Sequence, residues 1–491
     1  MIAAPATRVS GLHRWGAAIA VAALCGCPRP PLTTETHPPK DGGAPMRPSV
    51  FFATNRNIDL LFMIDDSSSM RLSQDNLRRN FPVLMRQLEN LPGGLPNVHV
   101  AVVSSDMGAG DGSVASCDTT GGKRGIFQNA ARDNCVTTGL APGATYISNV
   151  AGVANYSGKL EDVFTCIAAL GQSGCGFEHQ FAAITRALGV DGRAAPAENA
   201  GFLRADALLA VVMITNEDDC SEKPGVPLFE TAANNNIASQ LGPPLNFRCN
   251  EFGHLCNGVH PSRKAPGNDI NASVTYDNCA SNETGGFLLT VRETADRIKS
   301  LKGDDGQIMV AAITGPQTPY AVHWRAPSSP DSSCGVASCP WPETTHSCVA
   351  PDGSFADPAV RIAELVGQFG DNGRLTSICD ENFAPALGAI ADNISRYVSA
   401  PCIVGRIAKQ PGTTRDDCTV TDASTGTAVA SCADTGGAGE CWHLVAGGES
   451  CSGVSVVVQA DPQSGGDPPG NLTIRCTMCV PGQPDPDVGC P

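Results

Sequence analysis

Residues 60–69 read Leu60-Leu61-Phe62-Met63-Ile64-Asp65-Asp66-Ser67-Ser68-Ser69. Five apolar residues in a row are typical of a strand buried on both faces of a parallel sheet. Asp65, Ser67 and Ser69 are spaced two apart, so an extended turn would point their oxygens the same way. A carboxylate and two hydroxyls are hard ligands that suit Mg²⁺, and they are too few to complete its shell. Asp and Ser also cap helices, so an N-cap for the next helix is the alternative interpretation.

Strands and helices alternate from about residue 56 to residue 399. Apolar runs predict strands at residues 58–64, 98–103, 208–214 and 308–313. Apolar stripes at helical spacing predict helices around residues 77–88, 177–188, 288–298 and 383–397. This alternation predicts an α/β fold with a doubly wound, mostly parallel sheet, which binds ligands beyond the carboxyl ends of its strands. Asp65 follows such an end.

Three long cysteine-bearing stretches interrupt this order, at about residues 107–160, 219–286 and 315–357. Each follows a predicted strand and lies on the same rim as Asp65. Loops of this length are uncommon unless they are functional, so they are expected to take part in partner recognition. Residues 401–491 contain eight cysteines and short β-like runs, which predicts a small Cys-rich β domain.

The N-terminus has the pattern of an export signal. An apolar stretch at residues 15–24 follows Arg8 and Arg14 and is too short for a permanent membrane span. The next residues, Leu24-Cys25-Gly26-Cys27, resemble a bacterial lipoprotein box with Cys27 as the lipidated residue. Residues 1–27 are therefore interpreted as a signal peptide, with ordinary cleavage as the alternative. Residues 28–50 form a Pro-rich linker. Pro28 favours the outer membrane or cell surface over retention at the inner membrane.

Cysteine usage fits an exported protein. Of 22 cysteines, Cys25 and Cys27 belong to the signal region, which leaves 20, an even number. Such a set predicts a disulfide framework whose pairing the sequence does not define. The alternative, a zinc site, has only one half-motif, Cys476-Thr-Met-Cys479.

Charge and motifs exclude several functions. Lys plus Arg is 33 and Asp plus Glu is 49, so the net charge of −16 argues against nucleic-acid binding. No nucleophile elbow, zinc-protease motif or phosphate loop occurs in the sequence. His179 is the only histidine close to the predicted site and is expected to be a surface residue. The sequence predicts a protein that is not an enzyme.

The pattern Asp65-x-Ser67-x-Ser69 after a first strand resembles the metal-ion-dependent adhesion site (MIDAS) of von Willebrand factor type A domains. The resemblance implies that residues 51–400 form such a domain and take metal ligands from two further loops. Glu178 stands where the family has Thr, and Asn216 stands where it has Asp. Asp218, or Asp219, could substitute for the charge that Asn216 lacks. The implied ion is Mg²⁺, with Ca²⁺ or Mn²⁺ as alternatives.

The resulting hypothesis is a non-catalytic cell-envelope lipoprotein that binds a protein or surface ligand, through a carboxylate of that partner, at a divalent cation. Asp66 and Asp106 are expected to be solvated turn residues. A metal-free structural envelope protein is one alternative. A second is an extracellular thiol-redox enzyme that uses Cys476 and Cys479.

Overall fold

The computed structural model describes residues 49–490, apart from residues 55, 92–93, 111–113, 115–116, 118–120, 133–134, 285, 304, 399–401, 404, 423–424, 447–453, 460–471, 481 and 483. The predicted signal peptide, the lipidation residue Cys27 and nearly all of the linker lie outside the described residues. Within the described ranges, every helix is too short or too polar to cross a membrane.

The described residues form 21 strands and eight α-helices. Strands β1 to β21 are, in chain order, Ser49–Thr54, Asn57–Ile64, Asn97–Ser104, Ile147–Val150, Val153–Ala154, Leu208–Ile214, His254–Cys256, Ser273–Tyr276, Cys279–Ser281, Ile308–Thr314, Tyr320–Arg325, Trp341–Thr345, Cys348–Val349, Phe355–Ala356, Gly373–Ser377, Cys402–Ile403, Cys418–Asp422, Ala428–Ser431, Cys441–Ala446, Val454–Gln459 and Leu472–Thr477. Helices α1 to α8 are Arg71–Glu89, Leu160–Ile167, Gln180–Ala187, Phe247–Gly253, Val291–Lys299, Val360–Gly367, Ala384–Val398 and Cys432–Thr435.

The central sheet has seven strands in the order β15, β10, β6, β2, β3, β4 and β5. The first five run parallel to one another, and β4 and β5 add an antiparallel edge. The region is therefore mixed α/β with a mostly parallel sheet, as predicted. All four apolar runs are strands of this sheet, and parallel neighbours bring their carboxyl ends to one rim.

Helices cover both faces of the central sheet. Alternate residues of β2 divide between two apolar clusters, with Phe62 in one and Leu61 and Met63 in the other. The Phe62 cluster includes side chains of α1, α2 and α7, and the other includes side chains of α3, α5 and α6. Strands β6 and β10 are buried along their whole length. Burial of each large apolar side chain contributes about 1.5–3 kcal/mol, so this sheet is a rigid base for its rim.

Disulfides staple the three long stretches. The first is held by Cys117–Cys175 and Cys135–Cys166, the second by Cys220–Cys249 and Cys256–Cys279, and the third by Cys334–Cys339 and Cys348–Cys379. The second and third stretches also share a small sheet, in which β11 pairs with both β8 and β12. The second and third inserted stretches are therefore parts of one ordered structure.

A second seven-stranded sheet lies toward the C-terminus, in the order β1, β21, β17, β18, β19, β20 and β16. Residues 49–54, which the sequence analysis divides between the linker and the α/β region, form its edge strand, antiparallel to β21. Cys476 pairs with Cys418, and Cys479 pairs with Cys490. A redox or zinc pair made of Cys476 and Cys479 is therefore wrong, because each sulfur is bonded elsewhere.

Candidate functional site

Two neighbouring strands place the core of the site. Strands β2 and β6 pair in parallel with Ile64 opposite Ile214, so Asp65 and Thr215 leave the sheet side by side. The backbone N–H of Asp65 donates to the carbonyl of Ile214 at 2.9 Å. The side chain of Gln74 on α1 donates to the Asp65 carbonyl at 2.8 Å. The backbone of the turn is thus fixed by the sheet and by the helix that follows.

Hydrogen bonds bring five polar residues together at this rim. The Asp65 carboxylate accepts from the Ser67 N–H and from the Thr215 hydroxyl, each at 2.8 Å. The hydroxyl oxygens of Ser67 and Ser69 lie 3.3 Å apart. The Ser69 hydroxyl donates to Oδ1 of Asn216 at 3.2 Å. We call Asp65, Ser67, Ser69, Thr215 and Asn216 the rim cluster; it contains four of the six residues predicted from sequence.

The helix-capping alternative does not describe this turn. Helix α1 begins at Arg71, and its N-cap residue, Met70, makes no side-chain capping bond. The Asp65 carboxylate and the Ser67 hydroxyl bond within the rim cluster and not to the first turn of α1. The polar side chains therefore serve the rim of the sheet.

Glu178 reaches the site from the loop before α3. The disulfide from Cys117 to Cys175 and a bond from the Gly174 N–H to the Asp66 carbonyl, at 2.8 Å, hold this loop. The Cys220 N–H donates to the Glu178 carbonyl at 2.8 Å. Glu178 is only 2% exposed, and its Oε1 has no hydrogen-bond partner among the described residues.

The carboxyl groups around the rim cluster oppose one another's ionisation. Burial raises the pKa of Asp65 above its ordinary value, although hydrogen bonds from Ser67 and Thr215 lower it. Burial, with repulsion from Glu217 and Asp65, raises the pKa of Glu178 well above its ordinary value. Burial, with repulsion from Asp357 and Asp65, raises the pKa of Glu217 to about 8. Negative charge is therefore costly here unless a cation compensates it.

Asp218 and Asp219 are not part of the rim cluster. The Asp218 carboxylate accepts from His254 at 2.8 Å and from the backbone of Arg361 and Ile362 at the start of α6, at 2.8 and 3.0 Å. Burial opposes its ionisation, but these bonds hold the pKa of Asp218 below its ordinary value. Asp219 pairs with the buried Arg361 at 2.9 Å. The predicted use of Asp218, or of Asp219, as a substitute ligand conflicts with these contacts, because both carboxylates already hold helices in place.

Three other predictions near the site are corrected. Asp66 is buried, accepts from Ser104 at 2.6 Å and pairs with Lys123, so it is not a solvated turn residue. Asp106 is 9% exposed and accepts from the Gly108 N–H at 2.9 Å. His179 is 3% exposed, and burial lowers its pKa to about 4. Close packing of the inserted stretches over the rim, which a local pattern does not reveal, buries all three.

Three further residues at the site, Thr215, Glu217 and Asp357, are not among those predicted from sequence. The first two lie beside Asn216, so the position of Asn216 after β6 was a usable signal. Asp357 comes from the third inserted stretch, and its N–H donates to the Asn216 carbonyl at 2.8 Å. Nothing in the local sequence near Asp357 indicates this contact.

The rim cluster offers mixed oxygen donors for a cation. The described residues contain no group of three or more His, Cys, Asp or Glu side chains arranged to hold a metal ion. The rim cluster instead combines one carboxylate with hydroxyl and amide oxygens, a donor set that suits Mg²⁺ or Ca²⁺. The Glu178 carboxyl group, which lies close enough to Asp65 for the two to repel each other, is a further oxygen donor. The residues present fit a hard divalent cation.

A cavity of about 570 Å³ is adjacent in sequence to the rim cluster, since Glu217, the residue after Asn216, lines it. Its lining includes Glu178 and Glu217 from the central region, Cys220 and Cys249 of the second inserted stretch, and Asp357 of the third. This volume lies within the range of about 300–1,000 Å³ found for ligand sites.

No protein-family model and no curated protein sequence matches the chain. Among solved structures, the pilus adhesin SpaC from Lactobacillus rhamnosus GG is 14% identical with a TM-score of 0.28, over 91% of this chain and 43% of that chain. A von Willebrand factor type A protein from Catenulispora acidiphila is 9% identical with a TM-score of 0.27, over 89% and 66%. The pilus adhesin RrgA from Streptococcus pneumoniae is 10% identical with a TM-score of 0.25, over 88% and 58%. The chain thus spans between 43% and 66% of the length of these proteins.

Proposed function

We propose that the α/β region is a doubly wound domain of the von Willebrand factor type A class that binds a protein or surface ligand through a divalent cation, without catalysis. Asp65, Ser67, Ser69, Asn216 and Glu178 would hold the ion, which is Mg²⁺ or else Ca²⁺ or Mn²⁺. When bound, the ion would supply positive charge and open coordination positions for a carboxylate of the partner.

One observation carries the proposal: Asp65, Ser67, Ser69 and Asn216 are joined by consecutive hydrogen bonds at the rim of the sheet, through the Ser67 N–H, the two serine hydroxyls and the side-chain oxygen of Asn216. No described Lys or Arg side chain forms an ion pair with Asp65, Glu178 or Glu217. A bound cation would relieve the repulsion that raises the pKa values of these three carboxyl groups.

The proposal places the protein outside the cytoplasm. Nine disulfides among the described residues support an oxidising compartment. Cys27 would carry a lipid anchor to the outer membrane or cell surface, with residues 28–50 as the spacer. Mass spectrometry of the protein from its native membrane tests this part, because an unlipidated N-terminus beyond residue 27 would contradict it.

Titration of the purified chain with Mn²⁺, followed by calorimetry, tests the ion. Asp65→Ala removes the only carboxylate of the rim cluster and is expected to abolish binding. Ser69→Ala is expected to weaken binding at least about tenfold, a loss seen even for outer-shell partners of a metal. If Asp65→Ala binds Mn²⁺ as tightly as the parent, the proposed site is wrong.

The same turn offers a matched control. Ser68 is exposed and makes none of the bonds of the rim cluster, so Ser68→Ala is expected to bind Mn²⁺ as the parent does. Asp65→Asn keeps the shape of the side chain and shows whether lost binding comes from lost charge or from a disturbed fold. Circular dichroism of each variant checks that the fold is intact.

One feature favours the alternative of a metal-free structural protein. Both Asp65 carboxylate oxygens accept a bond from within the protein, and Asn216 Nδ2 donates to the Phe355 carbonyl at 3.1 Å. The rim cluster is therefore ordered by its own bonds. This alternative expects a chelator to leave both the melting temperature and ligand binding unchanged, whereas the ion-dependent function expects both to fall.

A further inference from the structure

The cavity lined by Glu217 has a balance of charge that the proposed function does not explain. Its lining includes the acidic residues Glu178, Glu217, Asp218, Glu343 and Asp357 and the basic residues Arg325 and His346. The cavity lies between the central region and the stapled second and third inserted stretches, so its walls are held by β11, β12 and the Cys220–Cys249 disulfide.

Three of the five acids already have basic partners. Asp218 pairs with His254 at 2.8 Å. Glu343 pairs with Arg325 at 2.8 Å. Asp357 pairs with His346 at 2.7 Å.

Glu178 and Glu217 have no basic partner among the described residues. The Glu217 side chain accepts from a neutral donor, Asn246, at 2.7 Å, and its carboxyl group shares a hydrogen bond with the Glu178 carboxyl group. Glu178 lines the cavity while 98% buried, and its Oε1 receives no hydrogen bond. A buried carboxylate oxygen without a donor is costly, so the structure lacks a donor at this point of the cavity wall.

Aromatic rings complete the lining. Phe247 and Phe355 both face the cavity, and Phe355 stacks on His346 with ring centroids 3.8 Å apart. Apolar ring faces accommodate the alkyl stem of a long basic side chain and attract its charged head.

We propose that this cavity receives a basic side chain, arginine or lysine, of the protein that the rim cluster binds. The side chain donates to Glu217 and to the free oxygen of Glu178. A carboxylate has two oxygens, so Glu178 can serve both the ion and this side chain. The inference rests on the proposed function for the identity of the partner, but the cavity itself does not need the ion.

Saturation-transfer NMR of the purified full chain with N-acetyl-arginine amide tests the proposal. N-acetyl-citrulline amide, which has nearly the same shape but no charge, is the matched probe. The arginine probe is expected to bind and the citrulline probe to bind at least about tenfold more weakly, because hydrogen bonds to charged groups are the stronger ones. Equal binding of the two probes would overturn the proposal.

Two cavity variants locate the binding. Glu217→Gln is expected to weaken the arginine probe about tenfold or more. Glu343→Gln changes an acid of the same lining that Arg325 already neutralises, so it is expected to change binding less than about twofold. An unchanged affinity in Glu217→Gln would overturn the proposal, as would equal losses in both variants.

The Mn²⁺ titration separates this inference from the proposed function. Asp65→Ala is expected to lose Mn²⁺ and keep the arginine probe. Glu217→Gln is expected to lose the probe and to bind Mn²⁺ only slightly more weakly, because it removes a nearby charge but no proposed ligand of the ion. If the parent binds the probe in chelator but never binds Mn²⁺, the ion-dependent function fails and the cavity assignment stands. If the parent binds Mn²⁺ and not the probe, the cavity assignment alone fails.

Discussion

The two seven-stranded sheets of this protein differ in how their strands are held together. The central sheet is mostly parallel, and strands such as β6 and β10 are buried at every position. In the C-terminal sheet, burial alternates along β21, and one apolar cluster supplies its core. Disulfides join its strands and loops.

This difference explains why the candidate site lies where it does. A strand packed on both faces fixes the residue that follows it, so the rim of the central sheet can hold polar groups in costly positions. The C-terminal sheet, in which burial alternates along the strand, buries less apolar area that could offset such positions. Its stability therefore depends more on disulfide bonds. We therefore expect core packing to determine the stability of the central sheet and disulfides to determine that of the C-terminal sheet.

A cavity in the central core gives the strongest test of this contrast. Phe62 packs against Phe81 and Phe164, with ring centroids 5.8 and 4.8 Å apart. Phe62→Ala is expected to lower the free energy of unfolding of the central sheet by about 3–5 kcal/mol, since it removes a fully buried ring. Amide hydrogen exchange should then accelerate in β2 and β6.

The C-terminal sheet is the internal control for Phe62→Ala. Its strands β17 and β21 contribute to a separate apolar cluster, so their exchange rates are expected to change little. Phe62→Leu keeps most of the apolar volume and is expected to cost less than about 1.5–2 kcal/mol. Equal acceleration in both sheets would break the comparison, because it would show that they unfold as one unit.

Removing a disulfide should produce the converse result. Cys418 and Cys476 face each other on β17 and β21 and are 58 residues apart in sequence. The double variant Cys418→Ser, Cys476→Ser is expected to lower the stability of the C-terminal sheet by about 2–4 kcal/mol, because the bond closes a long loop in the unfolded chain. Exchange in β17 and β21 should accelerate, while β2 stays protected.

A disulfide with a short loop is the matched control. Cys334 and Cys339 are only five residues apart and lie in the third inserted stretch. Replacing both with Ser is expected to have a smaller effect, since loop entropy falls with loop length. If loss of this bond destabilises the C-terminal sheet as much as loss of Cys418–Cys476, disulfides do not order that sheet in the way the comparison requires.

The same contrast explains how far the sequence predicts the fold. The run 208–214 predicts its strand because burial on both faces leaves no polar interruption. The run 58–64 predicts its strand from five consecutive apolar residues, although it also contains Asp59, which is buried in an ion pair with Arg204. Helix α6 was missed because its apolar stripe contains Arg361, which is fully buried against Asp219. Strand β1 was missed although residues 50–53 are apolar, because its partner β21 lies at residues 472–477 and no local pattern indicates a pairing so distant in sequence.

The residues of the candidate site that lie close together in sequence were predictable, and those brought together by distant parts of the chain were not. The spacing of Asp65, Ser67 and Ser69 lies within one turn, so the sequence alone groups them. Asn216 follows from its place after the neighbouring strand. Asp218 was misplaced because two more residues of chain were enough to bring its carboxylate to the start of α6. Asp357 depends on the packing of an inserted stretch, which no short pattern encodes.

Titration of one buried histidine gives the smallest and most selective test. His99 lies in β3 of the central sheet, is 7% exposed and has Nδ1 at 2.7 Å from the Phe202 carbonyl. Burial lowers its pKa from 6.5 to about 4. Between these two pH values His99 binds a proton in the unfolded chain and stays neutral in the folded chain. The free energy of unfolding should therefore fall as the pH decreases from about 6.5 to about 4, by about 1–3 kcal/mol for this group.

His99→Gln removes this proton and should flatten the pH dependence of exchange in β3 and β2. His443 lies in β19 of the C-terminal sheet, so His443→Gln is expected to leave that dependence unchanged. Burial also lowers the pKa of His179 to about 4, so this residue likewise lowers the free energy of unfolding as the pH decreases. Its contribution is present in both variants. If His99→Gln keeps the full slope of the parent, the central sheet does not hold His99 neutral, and packing does not control the charge state of buried groups there as the comparison with the C-terminal sheet requires.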